Sequence, residues 1–489
     1  MESTLNLMPT KLPNNKALKL IIETKAFKTS LAFLKSRRPA LAPHRSLEDL
    51  FWEMDEKSPA ALKGVEPHLQ KVCWVFRKTL YSYSIFIGGS VLDQILYDKI
   101  RDEAVDDPVT AALVLIRSVG IHKPGVILYP IHSLGLLGVG LWEKLTKGRY
   151  ELFISDAEIC VRAQTNSLKE TIAFVERSAE SFGVNRTVPV ESMEHYERSR
   201  PTKWLTRNPL LAVKAHLFSR EYYENHNFII LQLERACSLL FCLASLQNGF
   251  PVLRNESLFS SGRTNNWETQ DIHHFVLLEA TAGNRKRFET RCIPMNARAI
   301  ELAELSNVNV DINLKSWARR QPLMEKVCVA LGTIEQGYLK SNILSDKEGV
   351  KHRTFKKIMQ SLRYFRRSFR YTSGDDDVVM LTIALECLLT DSYAPNGGER
   401  LKERASILLK GHRRKSDCVR EIGNIYLARN QIVHTAECEQ EVDLQTVREG
   451  YTLCLLSLVE RLPLLPKESG NPIQFIIEGS APLALPTGS

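Results

Sequence analysis

The chain has no Cys-x-x-Cys pair, and its ten cysteines are scattered, with Cys237 and Cys242 five positions apart. That usage argues against a zinc site and against a disulfide framework, and a reducing cytosol is the simplest expectation. Met1 to Leu20 mixes Glu, Asn, Lys and Pro and lacks the apolar centre of a secretory signal. No internal repeat or low-complexity tract is visible. The one long uncharged run, Pro124 to Trp142, approaches the length of a membrane span, but it holds Pro124, Pro130, His132 and four glycines. Breakers at that density fit a buried strand over 126–129 followed by a glycine-rich turn. Gly135, Gly138 and Gly140 lack the Lys-Ser/Thr of a P-loop and run in the reverse order of the dinucleotide fingerprint. They are read as glycines that let backbones pack closely. A nucleotide-dependent switch with a phosphate held there is the weaker alternative.

What is present is an ordinary globular composition. The 489 residues are 44% hydrophobic and 25% charged, enough for two or three domains with sizeable cores. The net charge of +9 is mild over this length and becomes informative only where it is clustered. The patterning predicts an α+β protein, predominantly α, with a mixed α/β N-terminal region before a helical C-terminal one. Residues 1–45, with Lys35, Arg37, Arg38, Pro39 and Pro43, are expected to be a basic arm or a loosely docked helix. Residues 46–225 are expected to form a mixed α/β sensor or regulatory domain. Ser46 and Asp49 form a helix cap ahead of Leu47, Leu50 and Phe51. Glu151 to Arg162 reads as strand, and Leu168 to Phe182 as amphipathic helix. Residues 226–312 are expected to connect, with an apolar helix over 228–246 and a pair of strands around Thr281-Ala282-Gly283-Asn284. Residues 313–466 are expected to be helical, and 467–489 a flexible tail rich in Pro, Gly and Ser.

The helical third carries the chemistry. Phe355, Ile358, Leu362, Phe365 and Phe369 form one apolar stripe. Between Lys351 and Arg370 there are eight Lys/Arg and no Asp or Glu. Arg353, Lys356, Arg363, Arg367 and Arg370 on that flank are candidate phosphate contacts, unless an acidic neighbour balances the face. Gly374-Asp375-Asp376-Asp377 opens the next helix with carboxylates suited to its dipole. Val378 to Leu389 is apolar nearly all round apart from Thr382 and Glu386. A carboxylate so placed needs a cationic or hydrogen-bonding partner. After the loop Pro395-Asn396-Gly397-Gly398, Arg404 shares a side with Leu401, Ala405 and Leu408. Val419, Ile422, Tyr426 and Val433 then recur at spacings of three, four and seven, and Arg429 falls on their stripe, where a guanidinium must be paired or used. Arg429 and His434 are five apart, roughly 140° around a regular helix. They converge only if the helix ends or distorts near His434, or if a second subunit completes the site. Asp443 caps a last helix that Pro463 ends.

Residues from about 315 to 463, under a third of the chain, resemble the HEPN superfamily, in particular the Apea-like HEPN domains at the C-termini of bacterial defence proteins. The resemblance rests on Ala384-Leu385-Glu386-Cys387-Leu388-Leu389, on Leu401-Lys402-Glu403-Arg404-Ala405, and on Ile425-Tyr426-Leu427-Ala428-Arg429-Asn430-Gln431-Ile432-Val433-His434. The last matches the family's motif of Arg, four residues and His, with a polar residue after the arginine. Thr435 stands where glycine is more usual. The resemblance implies an all-α bundle that homodimerises and cuts RNA, with tRNA as a candidate substrate, without metal or cofactor, through attack of a ribose 2′-hydroxyl. It implies His434 as general base or acid, Arg429 on the scissile phosphate and Asn430 as an added hydrogen bond. It also implies Glu386 as the group that orients Arg429 or Arg404, with Tyr426 lining the cleft or packing. Abortive-infection or toxin-like defence in the cytoplasm follows from the family, with a phage trigger or an antitoxin as partner and no membrane. Inactive HEPN members that only bind or dimerise give the alternative.

Overall fold

The structure is a computed structural model. It describes residues 24–57, 59–82, 89–118, 124–137, 151–154, 158–199, 203–216, 226–249, 274–280, 287–294, 299–343, 345, 348–369, 374–392, 396–435 and 440–479. The protein is α+β and predominantly α. The chain divides into two compact units, Met1–Pro124 with His216–Asn227, and Gly125–Ala215 with Phe228–Ser489.

The described part of the first unit is helical: α1 (Lys25–Ser36), α2 (Arg38–Leu41), α3 (Leu47–Lys57), α4 (Val65–Ser82), α5 (Gly89–Arg101) and α6 (Pro108–Ser118). The α1 helix packs along α4, and Phe27 and Leu34 are buried with Leu69, Val72, Phe76 and Leu96. The Arg38 guanidinium is buried and donates to the carbonyls of Ile100 and Val105 at 2.6 and 2.5 Å. Residues 25–41 are therefore an integral part of a helical unit, where a loose basic arm had been expected. The cap at α3 has the expected chemistry. Ser46 Oγ accepts from the Asp49 N–H at 3.0 Å, and Asp49 Oδ2 accepts from the Ser46 N–H at 3.2 Å.

The strands belong to the second unit: β1 (Pro124–Pro130), β2 (His132–Leu137), β3 (Glu151–Ile154), β4 (Ile159–Arg162), β5 (Leu210–His216), β6 (His274–Ala280), β7 (Phe288–Pro294) and β8 (Asn307–Asn313). Six form one sheet in the order β3-β4-β5-β1-β6-β7. The expected strand at 126–129 is thus a central one, and the paired strands around the 281–284 turn are its edge, in register from Ala280↔Phe288 to His274↔Pro294. The turn itself lies outside the described residues. Val126, Leu128, Cys160, Leu210, Val276 and Leu278 pack against α7 (Leu168–Ser181), α8 (Val190–Ser199) and α9 (Trp204–Arg207) through Phe174, Val175, Met193 and Trp204.

Where a glycine-rich turn was expected, β2 pairs in parallel with β8, and Gly135 sits opposite Asp311. A Cβ at Gly135 would lie 1.8 Å from Asp311 Oδ1, so this glycine serves close packing inside a strand. Gly138 and Gly140 lie outside the described residues. With Pro124 to Leu137 in strands, that run is no membrane helix, and no described helix is long and apolar enough to cross a membrane.

The helical layer comprises α10 (His226–Ser245), α11 (Ala299–Ser306), α12 (Leu314–Ala318), α13 (Gln321–Tyr338), α14 (Val350–Arg367), α15 (Gly374–Leu389), α16 (Gly397–Leu408), α17 (Lys415–Thr435), α18 (Leu444–Arg461) and α19 (Pro472–Glu478). Phe355, Ile358, Leu362, Phe365 and Phe369 are all buried, as their spacing predicts. Phe365 stacks on Tyr451 of α18 at 4.2 Å between ring centroids. Ser361 donates to the Ala384 carbonyl at 2.6 Å, which ties α14 to α15.

The expected domain boundaries are not where contacts thin out. The hairpin β6–β7 completes the sheet begun by β1, so a boundary at 225/226 would cut it. α10 joins the helical layer through Glu234, which accepts from Arg363 at 2.7 Å, and β8 runs across the 312/313 boundary. Of the tail expected to be flexible, the described part up to Gly479 is docked: Ile473, Ile476 and Ile477 are buried, and Asp391 caps α19 by accepting from the N–H groups of Ile473 and Gln474 at 2.8 Å each. Residues 480–489 lie outside the described residues.

Candidate functional site

The core face of α17 is Cys418, Glu421, Ile422, Ile425 and Ala428. This face is rotated from the stripe inferred from spacing. Of the four residues expected on that stripe only Ile422 is buried; Val419 and Tyr426 are half-buried, and Val433 is 53% exposed. Arg429 follows Ala428 and is half-buried at the margin of the core. Its Nη1 donates to Asn430 Oδ1 at 3.0 Å, and its buried Nε has no hydrogen-bond partner among the described residues. Asn430, which the resemblance gave as an added hydrogen bond to the RNA, here has its Oδ1 engaged by Arg429.

His434 lies in the last turn of α17 and is exposed. The helix continues through Thr435, so it neither ends nor breaks between Arg429 and His434. The two side chains leave the helix about 140° apart. Convergence within one chain, the simpler of the two expected routes, is not what the structure shows.

Glu386 is half-buried on α15, whose other faces carry Val378, Leu381, Leu385 and Leu388 in the core. Burial pushes its carboxyl above the ordinary 4.5, against the pull of Arg429 and then Lys357. Among the described residues no hydrogen bond or ion pair ties the Glu386 carboxyl to either cation. Thr382, its expected companion on one face, is buried and donates to the Val378 carbonyl at 2.8 Å.

Arg404 plays a different part from the one expected. It is buried, and it donates to Glu478 Oε1 at 2.6 Å and to the Leu389 carbonyl at 2.7 Å. Its charge is matched by the C-terminal helix, and Glu386 has no role in orienting it.

A cleft of about 180 Å³ opens beside Glu386, lined by Lys357, Thr390, Ser392, Arg400 and Tyr426 among others. Lys357 donates to the carbonyls of Thr390 and Asp391 at 2.6 and 2.7 Å, which pins the turn after α15. Tyr426 lies flat against the first turn of α16. A Cβ at Gly397 would stand 2.5 Å from its Oη, and one at Gly398 2.7 Å from its Cδ1, so a larger residue at either position would displace the ring. Cys387 also lines the cleft, but burial raises its thiol against the pull of Lys357, which makes it a poor nucleophile. Lys357 and Arg400 are the groups that the sequence reading left out. Each stood in a charged helix flank with nothing local to set it apart.

The basic flank of α14 is largely balanced. Arg363 and buried Arg366 both meet Glu234, and Arg367 meets Glu304 at 2.5 Å. Arg353 donates to the Ser469 carbonyl at 2.6 Å, and Lys356 is exposed. Arg370 lies outside the described residues. The acidic neighbours are on α10 and α11, more than sixty residues upstream, so among the described candidates the open phosphate-binding face expected for α14 reduces to Arg353 and Lys356. Among the described residues no cluster of three His, Cys, Asp or Glu side chains stands ready to hold a metal ion. No protein-family model, curated protein or solved structure matches the chain.

Proposed function

We propose that the C-terminal helical region is a HEPN-type endoribonuclease that acts as a homodimer, without a metal ion, in cytoplasmic anti-phage or toxin-like defence. The observation that carries this reading is the Arg429–Asn430 pair, held half-buried less than one turn beyond Tyr426, which lines the Glu386 cleft, on the same helix that presents His434 to solvent. A guanidinium with an unpaired, buried Nε is placed to grip a phosphate, and its planar fork suits two phosphate oxygens.

The divergence of Arg429 and His434 supports a site completed by a second chain. On α17 Leu427 falls near the face of His434 and Val433 near that of Arg429, and at 55% and 53% exposed they put an apolar side chain beside each half of such a site. In the reaction, one imidazole takes the proton of the ribose 2′-hydroxyl. A bond forms from O2′ to phosphorus as the P–O5′ bond breaks, and a second imidazole, from the other copy, protonates the leaving 5′ oxygen. Arg429 stabilises the charge growing on the phosphate oxygens. The products are a 2′,3′-cyclic phosphate and a 5′-hydroxyl. Defence rests on the family resemblance alone.

The second reading, a non-catalytic HEPN module that dimerises or binds RNA, is favoured by the exposed His434, which among the described residues has no hydrogen-bond or ion-pair partner. The two separate on His434→Ala. Because the side chain is exposed, the substitution leaves the melting temperature and the dimer unchanged. On the nuclease reading it removes RNA cleavage by two or more orders of magnitude. Cleavage equal to wild type sinks the catalytic role, and a collapse of the fold makes His434 structural.

A further inference from the structure

We propose that the cleft bounded by α14, α15, α16 and α17 is a nucleotide subsite, in which Arg400 binds the RNA phosphate next to the scissile one and Tyr426 forms the wall against its sugar or base. This rests on the nuclease reading and says where on the chain the RNA runs.

The argument starts from charge that the fold leaves unused. Arg400 is half-buried at the cleft, and among the described residues its side chain has no hydrogen-bond or ion-pair partner. Arg404, one turn further along α16, is saturated by Glu478 and the Leu389 carbonyl. The acids nearest Arg400 in sequence are accounted for. Glu399 pairs with Lys402 at 3.1 Å. Asp391 spends both carboxylate oxygens on the α19 N-terminus. Glu403 makes no ion pair with it. The carboxyl that lines the cleft is Glu386, whose pKa burial raises above the ordinary 4.5. Lys357 adds a second positive charge while its N–H groups hold the rim. Two cationic side chains, Lys357 and Arg400, thus line the cleft with one carboxyl, and one donor fork is unassigned, which is the demand of a phosphate.

The walls add the rest. The Tyr426 ring packs beside Gly397 and Gly398, where a Cβ would crowd it, and it gives the cleft an aromatic surface. RNA-binding sites use such rings against unstacked bases. A volume of about 180 Å³ is below the ~300 Å³ at which whole-cofactor sites begin, so the cleft takes one fragment of a longer chain. Tyr426 lines the cleft and Arg429 follows it by less than one turn of α17, which places the subsite next to the proposed scissile phosphate.

The test uses the full-length protein carrying His434→Ala, so that RNA stays intact, and a fluorescein-labelled single-stranded oligouridine. Arg400→Ala and Arg400→Glu are compared with Arg420→Ala, an exposed arginine engaged by Glu421 and away from the cleft. Arg400→Ala should weaken binding about tenfold and reduce the dependence of log affinity on log salt by about one phosphate contact. Arg400→Glu should weaken it further, and Arg420→Ala should leave both unchanged. Equal affinity and equal salt slope for the parent and both Arg400 variants overturns the subsite. If the wild type cleaves RNA in that case, the nuclease reading stands without it. A parent that neither binds nor, with His434 restored, cleaves RNA overturns both.

Discussion

Four polar residues, Glu386, Arg404, Tyr426 and Arg429, interrupt helices that otherwise look buried, and the sequence marks them equally. The structure separates them. Arg404 is neutralised by Glu478, 74 residues away on a helix that composition made look like a loose tail, so nothing local revealed its structural role. Tyr426 has its place because two glycines of a neighbouring helix let it in. Glu386 keeps a half-buried carboxyl with no hydrogen bond among the described residues, and this has a measurable consequence. Its folded value lies above the ordinary 4.5, so ionising it opposes folding. The stability of the wild type relative to Glu386→Gln should therefore be highest at acid pH and fall as pH rises through the raised value. Paired thermal melts across that range check this. A difference that stays flat or grows with pH would mean that the field of Arg429 and Lys357 outweighs burial.

At the scale of elements, helix positions and caps were legible because they depend on neighbours in sequence. The α14 stripe, the α15 acidic first turn and the Asp443 cap stand where spacing and cap chemistry put them. The face of α17 was not legible. A heptad-spaced set of apolar residues looked like the core face, yet helix–helix packing selected Ile422, Ile425 and Ala428 and left Val433 outside. The charge of α14 was misread for a related reason, since its balancing acids lie on other elements.

Asp443 gives a test of local chemistry. Burial would raise its carboxyl, but the Thr446 hydroxyl at 2.6 Å and the N–H groups of Thr446 and Gln445 at 3.1 Å outweigh burial and hold it below the ordinary 3.8. A depressed carboxyl stabilises the fold above its ordinary value and loses that contribution as pH falls through the folded one. Asp443→Ala should cost about 1 kcal/mol at neutral pH in urea unfolding, and the gap should close in acid below 3.8. A gap independent of pH would assign the loss to something other than the carboxylate cap.

For the whole molecule, the sequence conveyed the class, a small β component beside a majority of helix, because periodicity reports class. It did not convey the division into units. The sheet gathers strands from residue 124 to 294, and such pairings leave no trace in any one segment. The proposed dimer belongs to this scale as well. Leu427→Asp with Val433→Asp changes only exposed positions, so the fold should hold within about 0.5 kcal/mol. Sedimentation should then show a monomer in place of a dimer, with RNA cleavage lost in step. An unchanged mass with full activity would move the interface elsewhere.

The most direct measurement is the chemistry of the cut end. Purified protein is incubated in EDTA with labelled tRNA and with an unstructured RNA, beside Arg429→Ala and His434→Ala, and the product termini are identified. The account predicts cleavage by the wild type alone, leaving 2′,3′-cyclic phosphate and 5′-hydroxyl ends. Products ending in a 3′-hydroxyl, or cleavage that survives loss of either side chain, would contradict it.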